Sequence, residues 1–273
     1  MADFVPVNDD HAVESVTFQL VFSQPFSPDC FNQLAAHHHL WKAELPAFDQ
    51  GGNPPMVTFG TVSVPTFLSS VSFSHIRPDG SPAWQLRLDG PVLSVSCTRY
   101  TRWERVWGTA LSLLRQAHGV LAAIPGVPQF VTGMLVVADA FSTSLVQYDV
   151  RDLLKPSRYL ASHVTDAGPR WHNNLGWFEN LGDEAATLHN LNVSSGIVTD
   201  AGEGTSHVRV QIAHHLELRL ASAMDLAQLD LNEGGWLDCR MAELHLSNKR
   251  VVQELLTTSV AERIGLSGDA ARA

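Results

Sequence analysis

A chain of 273 residues with 45% hydrophobic and 17% charged residues has enough apolar material for a large core, which excludes wholesale disorder. Its formal net charge of −10, from 18 basic and 28 acidic residues, argues against nucleic acid as the main partner, because a phosphate-binding surface needs clustered Lys and Arg. The apolar runs are short, 134–138 among the longest, so no segment is expected to span a bilayer, and the acidic N-terminus lacks the basic start of a signal peptide.

Residues 16–22 alternate apolar and other side chains, the period of a half-buried strand opening near Val13. Ser27-Pro28-Asp29 then reads as an N-cap, a proline at the first helical position and an acid in the first turn, which predicts a helix to about Trp41. Residues 49–55 read as a loop. A meander follows, with strands at 71–77, 83–88 and 92–97 and turns at Pro78-Asp79-Gly80 and Asp89-Gly90, where glycine accepts the positive φ of a tight turn. Thr101 and Glu104 have capping-box spacing. Beyond them Trp103, Val106, Trp107, Ala110, Leu111, Leu114 and Ala117 recur at three and four, one apolar face of a long helix.

Residues 119–129, rich in proline and glycine, mark the expected boundary between a first half, 1–122, and a second, 123–273. Residues 130–138 suit a strand covered on both faces. Phe141-Ser142 repeats the earlier Phe26-Ser27 helix start and predicts a second helix to about Leu154. An irregular insertion at 155–183 is followed by strands near 187–198 and 207–220, with a turn at 200–204. Residues 208–220 alternate strictly except at His214. A last strand is expected at 226–231. Asp238 offers an N-cap for a helix carrying Met241, Leu244, Val251, Val252, Leu255 and Val260. The expected fold class is therefore α+β: two similar halves, 13–118 and 130–264, each a strand, a helix, an antiparallel meander and a long helix.

Three sets of residues carry a resemblance: Val13-Glu14-Ser15-Val16, Tyr100-x-x-Trp103-Glu104 and Leu244-His245. They resemble a sporadically distributed bacterial family of uncharacterised proteins of roughly this length, except through 157–184. The resemblance implies a cytoplasmic protein working beside a neighbouring gene product and names no reaction. The doubled pattern also looks like the saddle of the TATA-box-binding protein and like helix-grip folds.

Six residues are candidate ligand or partner contacts. Glu14 is in phase with Val16 and Phe18, which would aim its carboxylate at the core. The alternative is a strand end where it is solvated or paired with an arginine. Trp103 and Glu104, beside Tyr100, form either a ligand-facing patch or a core anchor with its cap. His245 is a candidate base with no nucleophile beside it in the sequence, or a surface or capping group. Trp171 and Trp177 bracket an aromatic-rich segment that reads as a recognition loop or as a strand and turn over the sheet. His37-His38-His39 cannot converge on one ion from a helix, where consecutive residues diverge by about 100°. A metal would need a second cluster such as His214-His215, so no metal is expected. No GxSxG, P-loop, GxGxxG or HExxH occurs, so no catalytic residue and no cofactor are assigned. Three widely spaced cysteines fit a reducing cytoplasm.

The expected function is that of a non-enzymatic binding or regulatory protein acting through a protein partner or self-association. A small-molecule binder or hydrolytic enzyme with a pocket between sheet and long helix is the second expectation. Nucleic-acid binding is the third.

Overall fold

The computed structural model describes residues 3–8, 11–51, 57–59, 62–64, 70–145, 147–180, 185–199 and 204–266. Among the described residues twelve strands run in chain order: β1 (Val5–Pro6), β2 (Val13–Phe22), β3 (Ala47–Gly51), β4 (Val57–Phe59), β5 (Val62–Val64), β6 (Ser70–Ile76), β7 (Pro82–Asp89), β8 (Val92–Cys97), β9 (Phe130–Thr143), β10 (Trp171–Asn180), β11 (Ala185–Thr199) and β12 (Ser206–Met224). The helices are α1 (Pro28–Ala36), α2 (Trp103–Leu121), α3 (Trp236–Leu255) and α4 (Thr258–Arg263).

The expected pair of sheet-plus-helix halves is not what forms. Ten strands make one antiparallel sheet in the order β10-β11-β12-β9-β2-β8-β7-β6-β3, with β1 paired to β9. Strands β4 and β5 pair with each other in a separate two-stranded sheet. The sheet dominates the structure and is continuous, because β2 pairs with β8 on one side and with β9 on the other.

The Phe141-Ser142 pair starts no helix. β9 runs through it to Thr143, with Phe141 opposite Val210 and fully buried. Phe26-Ser27 lies just before a helix because Pro28 follows it, whereas Ser142 is followed by the β-branched Thr143. Among the described residues only a short 3-10 turn, Val150–Asp152, falls where the second helix was expected. The expected strand at 226–231 is a 3-10 turn and loop, and the expected irregular insertion at 155–183 contains edge strand β10 at 171–180. α1 stops at Ala36, five residues early. The loop read at 49–55 begins as strand β3, and its remainder from residue 52 lies outside the described residues, as do positions 200–203 of the expected turn.

The meander and the long helices form where the pattern places them. Gly80 and Gly90 take φ of 83° and 53° at the two turns. Pairing puts Phe73, Leu86, Val95, Phe18, Leu135 and Leu216 in one row across β6, β7, β8, β2, β9 and β12, all with 0% exposure. α2 and α3 lie over this face, and their buried residues, among them Trp107, Leu114, Leu237 and Met241, join the same apolar cluster. Each such side chain contributes about 1.5–3 kcal/mol when fully buried. The opposite face keeps Thr17, Gln19, Gln85, Ser94, Ser96, Met134 and His215 partly exposed. Among the described residues no helix is long and apolar enough to cross a membrane.

Neither long helix starts with the expected cap. Arg102 is the N-cap of α2 and Gly235 that of α3, and neither makes a side-chain capping bond. Asp238 instead sits in the first turn of α3, where its carboxylate accepts from Gly234 N–H (2.7 Å) and from Trp107 Nε1 of α2 (2.6 Å). One carboxylate thus complements a helix N-terminus and ties the two helices together.

The helix-covered face also holds Asp139 of β9, opposite Val13 and Ile212 and 5% exposed. Burial pushes its carboxyl up to about 7, and burial together with Asp139 pushes up the nearby Tyr100 phenol. Between pH 4 and 7 the folded chain keeps a proton that the unfolded chain has released, so stability falls as pH rises through that window and levels off above it. Asp139→Asn removes this dependence. Urea unfolding is predicted to show the variant more stable than wild type at pH 8, by up to about 4 kcal/mol, with the gap closing by pH 4.5. A gap that stays constant with pH would show that Asp139 does not carry the proton.

Candidate functional site

The apolar row across the sheet changes character at its end. Beyond Leu216 the next position on β11 is His189, and the next on β10 is Trp177. In the adjoining row His214 of β12 takes a core position opposite Leu191 and Val137. Strand alternation therefore forces two imidazoles, each 0% exposed, under α3. A buried polar group is costly unless hydrogen-bonded, and these two satisfy each other. His189 Nδ1 lies 3.1 Å from His214 Nε2, and His214 Nδ1 lies 3.0 Å from Oδ1 of Asn248 on α3.

The proton positions follow from the end of this chain. Asn248 presents an acceptor, so His214 Nδ1 donates to it. Burial pushes His214 down to about 3, so the ring is neutral and its Nε2 is an acceptor. His189 Nδ1 must then donate to that nitrogen. Burial also lowers His189, with Glu179 opposing the shift and Arg250 adding to it, so this ring too is neutral. Its Nε2 is left bare. That atom is buried without a hydrogen-bond partner and lies 3.4 Å from Oε2 of Glu179 on β10, close but not in hydrogen-bond alignment. Two acceptors thus face each other.

Glu179 opens the relay to the surface. It lines a cleft of about 410 Å³ between α3 and β10, together with Lys155, Arg158, Ser247, Arg250 and Glu254. A recess of about 240 Å³ shares Arg158, Tyr159 and Glu179 and adds Trp177 and Leu175. The rings stack in sequence: Arg158 lies over Tyr159, Tyr159 is 4.9 Å from Trp177, and Trp177 is 4.5 Å from His189 at 10°. Arg158 pairs with Glu254 (3.3 Å) and donates to the Tyr159 hydroxyl (2.7 Å). Lys155 Nζ donates to Gln253 O (3.0 Å). A larger depression, about 850 Å³, lies between α1 and α2, but its walls are exposed side chains such as Gln33, Leu40 and Arg115, with no buried polar group aimed into it.

Of the six residues singled out by sequence, only Trp177 lies at this cleft. Glu14 does not face the core. The pairing of β2 with β9 shifts between Val13 and Ser15, and this bulge turns Glu14 to the open face, where it pairs with Arg209 and accepts from Gln211 Nε2 (3.2 Å). Trp103 and His245 come together face to face, 3.9 Å apart at 3°, between α2 and α3. Burial holds His245 down at about 4, so the ring is a neutral packing surface near pH 7. Glu104 is exposed in the first turn of α2. Trp171 begins β10, and its Nε1 donates to the Tyr148 hydroxyl (3.1 Å) within a second apolar cluster. His37 and His38 bond to Gln33 O and Leu45 O, and no metal-holding group exists among the described residues. His214 was considered only as a metal partner of the His37–His39 run. Its break in the alternation of β12 was the one sequence signal of the relay, and nothing in the sequence marked Glu179, His189, Asn248 or Arg250.

No family model matches the chain, and no curated protein and no solved structure matches it.

The relay is predicted to cost stability when broken singly and little when replaced whole. His214→Leu strands His189 Nδ1 and Asn248 Oδ1, and is expected to lower stability by about 1–3 kcal/mol in urea unfolding. The triple variant His189→Leu, His214→Leu, Asn248→Leu is expected to recover most of that loss. A triple variant worse than the single one would mean that the relay holds the fold together.

Proposed function

We propose that this chain is a ligand-binding protein whose site is the cleft between α3 and edge strand β10. The observation that carries this reading is the buried His189–His214–Asn248 relay behind the cleft, whose last nitrogen lies 3.4 Å from Glu179, a carboxylate of the cleft wall. Leu or Val at those strand positions would pack as well at less cost, and a buried acceptor left open is the kind of feature that clusters at binding sites. The cationic groups Lys155 and Arg250 on the cleft wall support a polar or charged ligand. Three free cysteines, two of them buried, support a reducing cytoplasm as its compartment.

A thermal-shift screen of the full chain against small polar metabolites tests the reading. At least one compound is expected to raise the melting temperature of the wild type. That rise should be lost in Glu179→Gln and Arg250→Gln, whose exposed side chains predict near-wild-type stability without ligand. Hits that stabilise both variants as well as wild type would place the ligand elsewhere, and a screen without hits would count against the reading.

A second reading, docking of a protein partner or a second copy, is favoured by the open face of the sheet. Three charge pairs on it are matched within the face, Glu14 with Arg209, Arg87 with Asp89 and Arg219 with Glu217, among Ser, Thr and Gln side chains together with Met134 and His215. Sedimentation equilibrium of wild type against Gln19→Lys is the check. A purely monomeric wild type, with no partner co-purifying from the native cell, removes it.

A further inference from the structure

The buried residues of all four helices pack against the covered face of the sheet. The other face has no such cover among the described residues, yet its middle is partly apolar. The outward side of β9 reads Thr132, Met134, Val136 and Ala138, and Ala213 of β12 lies opposite Ala138. Two pairs of polar side chains beside this stripe already bond each other. Thr17 Oγ1 lies 3.0 Å from Ser96 Oγ, and Gln85 Nε2 donates to Ser74 Oγ (3.3 Å). Covering them leaves neither pair stranded.

The charges of this face are ordered about β2, the middle of the five central strands β7, β8, β2, β9 and β12. One row across them reads Arg87, Ser94, Gln19, Met134 and Glu217, and the next reads Asp89, Val92, Val21, Thr132 and Arg219. Each row ends in opposite charges, two strands to either side of β2, and the order of signs reverses from one row to the next. Within one copy these groups form two partly exposed pairs, Arg87 with Asp89 (2.5 Å) and Arg219 with Glu217 (2.7 Å).

This order is self-complementary. A two-fold axis parallel to β2, between two such faces, carries β7 of one copy over β12 of the other in the same row. Arg87 then meets Glu217 of the second copy and Asp89 meets its Arg219, twice over by symmetry. Thr17, Gln19 and Val21 lie on the axis and meet their own uncharged equivalents. We infer that the open face is a self-association surface, on which two copies of this chain stack sheet to sheet about an axis along β2. Stacked sheets lie about 10 Å apart with strands within about 30° of parallel, a gap that an arginine and a glutamate bridge between them.

Charge and area both fit a second copy. At a formal net charge of −10, two chains repel over most of their surfaces. On the five central strands the open face is balanced, with Glu14 and Arg209 as the third pair, so two acidic chains can meet there. A foreign partner would not require the mirrored order of signs about β2. The strands from β6 to β11 span about 29 Å and the six residues of β8 about 20 Å, roughly 600 Å² per copy, the low end of what stable complexes bury.

The inference rests on the second reading above, docking through the open face, and fixes its occupant and geometry. Sedimentation equilibrium of the full chain is run from about 1 to 100 µM, a range that spans micromolar affinity, and wild type is expected to dimerise. Exchanging one pair, Arg87→Asp with Asp89→Arg, keeps the monomer's net charge and its own ion pair but sets like charges against Glu217 and Arg219 of the second copy. The dimer should weaken about tenfold or more. Exchanging the other pair, Glu217→Arg with Arg219→Glu, should do the same. All four substitutions together restore the match and should recover wild-type affinity to within about threefold, a recovery that a role confined to the monomer would not produce. A dimer broken by Gln19→Lys but unmoved by either exchange would overturn the axis along β2 and leave docking through the open face standing. A dimer unmoved by all of these variants lies elsewhere on the chain and overturns the inference. A wild type that stays monomeric throughout the range overturns it too, and the wider reading then falls only if no partner co-purifies from the native cell.

Discussion

The structure depends on the burial of one face, and one face only, of a single antiparallel sheet. β9 sits near the middle, bonded to β2 on one side and to β12 on the other, and so joins strands from both ends of the chain. Once α2 and α3 cover one face, strand alternation fixes the fate of every side chain in the central strands. The residues of the row from Phe73 to Leu216 have no alternative to the core, and Thr17, Gln19 and Ser94 have none to the open face. A one-residue slip would exchange the two sets, which is why the register is firmly held.

That constraint gives the polar exceptions their meaning. His189 and His214 occupy positions where neighbouring strands place Leu and Val, and hydrogen bonds offset most of the cost of burying them. Three of their four ring nitrogens have one. The fourth, His189 Nε2, faces Glu179 at the mouth of a cleft. Asp139 is a different exception in the same covered face: a carboxyl that stays protonated up to near neutral pH because it is buried. The first exception leads toward the surface at the cleft, while the second tunes stability with pH.

Much of the framework was legible in the sequence, for local reasons. β2, the β6-β7-β8 meander and the two long helices declare themselves through period two, glycine turns and three-four spacing, all read within one element. What failed was inference from resemblance between segments. Phe141-Ser142 matched Phe26-Ser27, but the helix at the latter is started by Pro28, and the long partners β2 and β12 draw the former into strand β9. Of the two readings of Glu14, pairing with an arginine is the one that forms, and alternation counted from Val16 could not choose it because the bulge exists only in the pairing with β9. The candidate site was nearly invisible. Glu179, His189, His214 and Asn248 lie on four different elements and meet only through the order β10-β11-β12 and the placement of α3. Trp177 was singled out as an aromatic for recognition, and it lies at the cleft but stacked between Tyr159 and His189.

The central claim is that the relay runs from His189 through His214 to Asn248 and leaves His189 Nε2 bare. Long-range proton–nitrogen correlation spectra of the imidazole side chains, recorded on the full chain near pH 7, read this directly. The account predicts both rings neutral, with the proton of each on Nδ1 and none on Nε2. A His189 ring protonated on Nε2, whether alone or on both nitrogens, would reverse or fill the relay and contradict the account.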